Sequence, residues 1–176
     1  MWLIDFLFGK KRKDSQQQAP QERAPAPRHA PGTQISYSPD LIPQLKGEHQ
    51  QLLELFGMVN NAFAKNDLAL TAKFLENFRR GIQSHLLTEN IRFYIYLEHS
   101  LGQDLESLSL MHDFRQEMDT IGKNVLSFLS KYKEIGSRPD FAIPFATDLE
   151  TVGKILVDRI KREEETLYPL YFPIYS

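Results

Sequence analysis

A chain of 176 residues, 41% hydrophobic and 25% charged, is large enough for one domain with a substantial core and a tail. Its formal net charge of −2 gives no reason to expect nucleic acid as a partner, and no apolar run approaches the ~20 residues that span a bilayer. With no cysteine, disulfides, zinc–thiolate sites, iron–sulfur clusters and thiol catalysis are excluded, so a transition metal has only histidine nitrogen and carboxylate oxygen to use.

The first nine residues, Met1 to Gly9, are nearly all apolar, and Lys10, Lys11, Arg12 and Lys13 follow at once. A secretory signal places its charges ahead of the apolar stretch; this order is reversed, which makes a cytoplasmic, bacterial-type protein the expectation. Helical, the segment would gather Trp2, Leu3, Phe6 and Leu7 on one face with cations beyond. That is the layout of a peripheral anchor at the inner membrane face, or of a docking peptide for a protein groove. Residues 14–37 are rich in Gln, Ala and Pro, with Pro20, Pro25, Pro27 and Pro31 spaced along them, and read as a flexible linker. The expected organisation is an anchor or docking segment at 1–13, a disordered linker at 14–37 and a folded domain at 38–176.

From Pro39 onward the apolar residues recur at three-four spacing, with no alternating strand pattern. The first helix is expected to start near Ser38–Asp40 and carries Ile42, Leu45, His49, Leu52, Phe56, Val59 and Phe63 in line, until Lys65-Asn66-Asp67 breaks it. The second, from about Leu68 to Glu98, carries Phe74, Phe78, Ile82, His85, Glu89, Phe93 and Tyr96. The third, from about Asp104 to Lys133, has Leu105, Leu108, His112, Gly122, Leu126 and Leu129 on one line, and Met111, Phe114, Met118, Ile121, Val125 and Phe128 on a neighbouring one. The fourth, from about Phe145 to Tyr168, has Leu149, Val152, Leu156, Arg159, Glu163, Leu167 and Leu170 in line. Four such helices joined by short loops predict an all-α, up-down-up-down four-helix bundle.

Buried imidazole and carboxylate groups are costly unless something pairs with them. His49, His85 with Glu89 one turn later, His112 and Glu163 place such groups on the stripes of all four helices, and a metal, with a di-iron carboxylate site as the leading candidate, explains that placement. A lone histidine on a stripe is more often a hydrogen-bonded core residue; three on different helices with two inward glutamates favour metal. His99 reads as a helix-end residue, Glu164 and Glu165 as a solvated face, and Tyr94, Tyr96 and Tyr168 as core filler within reach of a ligand.

The segments KGEHQQLLELF, SHLLTENIRFYIYL, LMHDFRQEM and DRIKREEETLYPLY resemble the hemerythrin-like, or HHE cation-binding, family, over Ser38 to Pro169. Members commonly carry His-x-x-x-Glu in both the second and the fourth helix. The second-helix copy is intact as His85 and Glu89; in the fourth, Arg159 stands at the histidine position and Glu163 at the glutamate position. The resemblance implies two iron ions held by His49, His85, His112, Glu89 and Glu163, with the glutamates bridging. Oxygen carriers in the family have a second histidine one turn along the third helix, where this chain has Gln116. The implied role is therefore the binding or sensing of oxygen, nitric oxide or redox state, for signalling rather than transport. Arginine is no metal ligand. Either one ion has a vacant place, or the guanidinium takes the second ion's position and pairs with Glu89 and Glu163, leaving one ion or none. The alternative function is a metal-free helical interaction module with Arg159 in place of a metal charge. No general acid or base stands out beyond the ligands, which argues against an enzyme.

Overall fold

The structure is a computed structural model and describes residues 29–174. Helix α1 covers Leu41–Ala64 and α2 covers Leu68–Thr88. The α2 rod continues through a π-helical turn, Glu89–Tyr94, into α3, Ile95–Ser100. Helix α4 runs over Leu105–Lys131, and two short 3₁₀ turns, Ile135–Ser137 and Pro139–Phe141, lead into α5, Ala142–Arg162. The α5 rod ends in a second π-helical turn, Glu163–Leu167, and a 3₁₀ turn, Tyr168–Leu170. No strand occurs among the described residues.

Local chemistry accounts for the breaks. Asn66 adopts a left-handed φ of 57°, a conformation open to asparagine, and so ends α1. Asp67 then accepts a hydrogen bond from Leu70 N at 2.9 Å and starts α2; Asp104 does the same for α4 through Ser107 N at 3.1 Å. At the start of α1, Asp40 makes no side-chain cap bond, and Leu41 N donates to the Ser38 carbonyl.

Contacts between rods fix their order. Along α1 and α2, Phe56 meets Phe78, Leu52 meets Gly81 and His49 meets His85, a descending series against an ascending one, so the two are antiparallel. The same holds for α1 and α5 through Phe63–Phe145 and Phe56–Gly153, and for α4 and α5 through Phe128–Phe145 and Glu117–Arg159. Glu98–His112 and Leu86–Gly122 set α4 beside the α2–α3 rod. The result is a closed up-down-up-down bundle. No helix among the described residues is long and apolar enough to cross a membrane.

The core is divided. One apolar cluster is built around Leu52, Phe78, Ile82, Val125, Phe145 and Leu156; another around Leu45, Phe93, Tyr94, Met111, Phe114 and Leu167. Each buried aliphatic or phenyl side chain stabilises the fold by about 1.5–3 kcal/mol. Between the clusters lies a layer of buried charged and imidazole groups: His49, His85, Glu89, Arg159 and Glu163.

The third helix centres its inward face on the line beside the one that bears its histidine. Met111, Phe114, Met118, Val125 and Phe128 are buried and Ile121 is half-buried; on the histidine's own line Gly122 and Leu129 are buried, whereas Leu105, His112 and Leu126 face outward. Residues 30–37, which composition assigns to the linker, lie against the bundle: Ala30 is buried, and Tyr37 stacks on Tyr171 at 5.0 Å. The 1–13 segment and the linker up to residue 28 lie outside the described residues.

Candidate metal centre

The polar layer is assembled from three rods. Helix α1 supplies His49, the α2 rod supplies His85 and Glu89, and the α5 rod supplies Arg159 and Glu163. Glu89 and Glu163 each open a π-helical turn, a local widening found often at functional sites. The π turn alters the register: a residue five positions past the glutamate, which an α-helix would rotate off the face, returns to it. Tyr94 and Tyr168 stand at those positions and are buried. Hence His85, Glu89, Tyr94 and Arg159, Glu163, Tyr168 repeat one spacing on two rods.

The two tyrosines cross over. Tyr94 OH, on the α2 rod, accepts from Arg159 Nη2 at 3.1 Å, while Tyr168 OH, on the α5 rod, lies 3.5 Å from Glu89 Oε1 and 3.3 Å from His49 Nε2. Burial and the nearby Glu89 carboxylate push both phenols above the usual range, so both remain protonated.

The donor atoms converge. His49, His85 and Glu163 each offer one donor atom within 4.8 Å of the others. His49 and His85 have ring centroids 4.7 Å apart, and His49 Nε2 is 3.3 Å from Glu163 Oε2 without the alignment of a hydrogen bond. Three buried atoms in this layer, His85 Nε2, Glu89 Oε2 and Glu163 Oε2, have no hydrogen-bond partner. Leaving such atoms unpaired costs about 1–3 kcal/mol each, which a cation between them would relieve. Two imidazoles and a carboxylate form a donor set suited to ferrous iron, zinc or manganese. The residues present therefore fit a metal ion.

Protonation agrees. Burial and the neighbouring His49 lower the His85 pKa, against a raising contribution from Glu48, so His85 is neutral near pH 7 with a lone pair to give. Burial would lower His49 as well, but Glu163 and Glu164 outweigh it and the net shift is upward. Burial and the Glu163 charge raise Glu89 well above the ordinary glutamate range despite Arg159.

A family model, the hemerythrin HHE cation binding domain, matches residues 40–171. The chain belongs to the hemerythrin family. It is thus a cation-binding helical domain by descent, in a family whose typical ion is iron. No curated protein and no solved structure matches the chain.

Against the hemerythrin pattern, the structure brings His49, His85, Glu89, Glu163 and Arg159 together and leaves His112 out. His112 is 50% exposed and its Nε2 is 2.9 Å from Glu98 Oε2 on the surface. The cause is the face that α4 turns inward: packing Met111 and Phe114 rotates His112 to the rim. Gln116, one turn on, is also exposed.

Arg159 is fully buried and held on four sides. Its Nε donates to Glu163 Oε1 at 2.6 Å and its Nη1 to Glu117 Oε2 at 2.8 Å; Tyr94 takes Nη2, and the Cζ lies 4.7 Å over the Phe114 ring. Arg162 flanks the same ring at 5.0 Å and donates to Glu117 Oε1 at 2.7 Å. The expected guanidinium pair with Glu89 and Glu163 is therefore half replaced: Glu117 of α4, not Glu89, is the second carboxylate. Hydrogen bonding from Arg162 holds Glu117 below the usual glutamate range, against the effect of burial and with further help from Arg159.

Three functional carboxylates escape the stripe pattern: Glu48, Glu117 and Glu164. Glu164 is only partly solvated, and its Oε1 accepts from His49 Nδ1 at 2.9 Å; Glu48 Oε2 accepts from His85 Nδ1 at 3.0 Å. Glu48 and Glu164 each adjoin an inward residue in sequence, His49 and Glu163, and so sit on the flank facing the next helix. That adjacency is the signal that could have found them.

Proposed function

We propose that this hemerythrin-like domain holds a single transition-metal ion on His49, His85 and Glu163, with Glu89 as a further donor and Arg159 supplying the second positive charge of the site. The observation that carries the reading is the set of unpartnered buried donor atoms, His85 Nε2, Glu89 Oε2 and Glu163 Oε2, in one layer. Arg159 is already engaged with Glu163, Glu117 and Tyr94, which supports one ion rather than two.

When bound, the ion supplies a Lewis-acidic centre able to bind a small ligand. The chain's own part is positional. His85 keeps its Nε2 lone pair free, Tyr168 and Tyr94 hold protons beside Glu89 and Arg159, and the two apolar clusters keep bulk water away. A cavity of about 20 Å³ lined by His85, Arg159, Glu163, Met118, Val125 and Leu156 offers room for one water-sized molecule. Its size suits a diatomic molecule such as oxygen or nitric oxide, and the role we assign is sensing of a diatomic ligand or redox state. Residues 1–13 would tether the sensor to an anionic inner-membrane face or to a protein partner.

Metal content and an ultraviolet–visible spectrum after anaerobic ferrous reconstitution test this. One iron per chain, with a spectral change on adding nitric oxide, is the expected result. An intact helical protein without metal would make the domain a salt-bridged interaction module.

A further inference from the structure

We propose that Glu48 and Glu164 are positioning residues that fix both donor imidazoles, in a pattern where each inward histidine, and Arg159 likewise, is braced by a carboxylate from the neighbouring helix. Glu164 of the α5 rod accepts from His49 Nδ1 of α1 at 2.9 Å, and Glu48 of α1 accepts from His85 Nδ1 of α2 at 3.0 Å. Glu117 of α4 accepts from Arg159 Nη1 of α5 at 2.8 Å. The braces pass around the bundle, α4 to α5 to α1 to α2.

Two adjacent pairs make this arrangement economical. Glu48-His49 and Glu163-Glu164 each contribute one inward group and one brace for a group on another rod. At His49 the consecutive carboxylates bracket one ring, with Glu164 2.9 Å from Nδ1 and Glu163 3.3 Å from Nε2. The braces are themselves held: Gln44 Nε2 donates to Glu48 Oε1 at 2.7 Å, and Arg92 Nη1 donates to Gln44 Oε1 at 3.0 Å. Lys46 lies 3.7 Å from Glu164.

The chemical consequence is a fixed tautomer. A carboxylate on Nδ1 keeps the proton there, leaves the Nε2 lone pair facing the layer, locks the ring orientation and strengthens the imidazole as a donor. His85 shows the result: its Nδ1 is engaged and its buried Nε2 is unpartnered. Neither Glu48 nor Glu164 is among the residues whose donor atoms converge on the layer. They act through the histidines. This inference rests on the single-ion reading for its purpose but not for its geometry.

The experiment uses the full chain with ¹⁵N-labelled histidine, as wild type, Glu48→Ala, Glu48→Gln, Glu164→Ala, Glu164→Gln and the exposed control Glu54→Gln. Long-range ¹H–¹⁵N spectra of the metal-free protein at pH 8 read the His85 tautomer, and cobalt(II) titration reads affinity. We expect wild-type His85 as the Nδ1–H form, a shift toward the other tautomer in Glu48→Ala, and none in Glu54→Gln. Either alanine variant should lose about 10- to 100-fold in cobalt affinity, with glutamine recovering part of it. An unchanged tautomer in Glu48→Ala, or cobalt affinity within twofold of wild type in both alanine variants, overturns the proposal. If an alanine variant does not fold, the glutamine variant decides by the same two readouts. If wild type takes up no cobalt, the single-ion reading fails while the tautomer still decides the bracing.

Discussion

Arg159 donates from Nε to Glu163 Oε1 at 2.6 Å, one turn along the same rod, in the register that His85 and Glu89 occupy on the α2 rod. The two rods carry the same constellation with one substitution. A guanidinium already bonded to the glutamate, to Glu117 and to Tyr94 stands where the family pattern has an imidazole. Because it is permanently protonated, it can neutralise the buried carboxylate without any ion.

Arg159→His should raise metal stoichiometry from one ion per chain toward two, measured by elemental analysis after ferrous or zinc loading. A ratio that stays at one would show that the guanidinium is not standing in for a second ion.

The ligand set separates by position. His85→Ala and Glu163→Ala should abolish binding, whereas His112→Ala should leave stoichiometry unchanged, because His112 is at the surface with Glu98. Loss of the ion in His112→Ala would mean that α4 turns its histidine inward when the ion is present.

Glu89 makes the metal-free protein pH-sensitive in a defined direction. Its folded pKa lies well above the ordinary 4.5, through burial first and then the Glu163 charge. The folded state therefore keeps a proton that the unfolded chain loses. Its contribution to stability is fully present below 4.5 and is lost as pH rises through the raised folded value. Melting temperatures in chelator across this window should fall with pH relative to Glu89→Gln. A constant difference between the two proteins would contradict the shift.

Close packing of α1 on α5 is open to a simpler test. A Cβ at Gly153 would lie 2.7 Å from Phe56 Cε1, so Gly153→Ala must displace the ring. We expect a loss of about 1–3 kcal/mol in denaturant unfolding. The double variant with Phe56→Leu should recover part of it, and equal losses in the single and double variants would place the strain elsewhere.

Much of this molecule is legible in its sequence because three-four spacing reports which face is buried. His49, His85, Glu89, Arg159 and Glu163 all interrupt such stripes, and all five are buried in one layer. Where two apolar lines run side by side, as on α4, spacing alone does not say which one packs at each turn, and His112 falls on a turn where its own line is exposed. The π turns are invisible for a related reason: uniform periodicity has no mark for one extra residue in a turn, so Tyr94 and Tyr168 read as possible neighbours of a ligand without a place on the inward face. Glu48, Glu117 and Glu164 were missed because each works across a helix boundary, a relationship that no single-helix pattern contains.

The polar waist between the two apolar clusters has a mechanical consequence. Each end of the bundle has its own hydrophobic interior, and the side chains joining them are charged or imidazole groups with unsatisfied atoms. A bound ion would rivet the halves into one cooperative unit; without it, each half is free to breathe on its own. Hydrogen exchange would then register the ion as a common protection across both ends, far beyond the backbone amides beside it. On the proposed sensing role, such a domain would report occupancy through its rigidity as a whole, and a partner reading either end would feel the change.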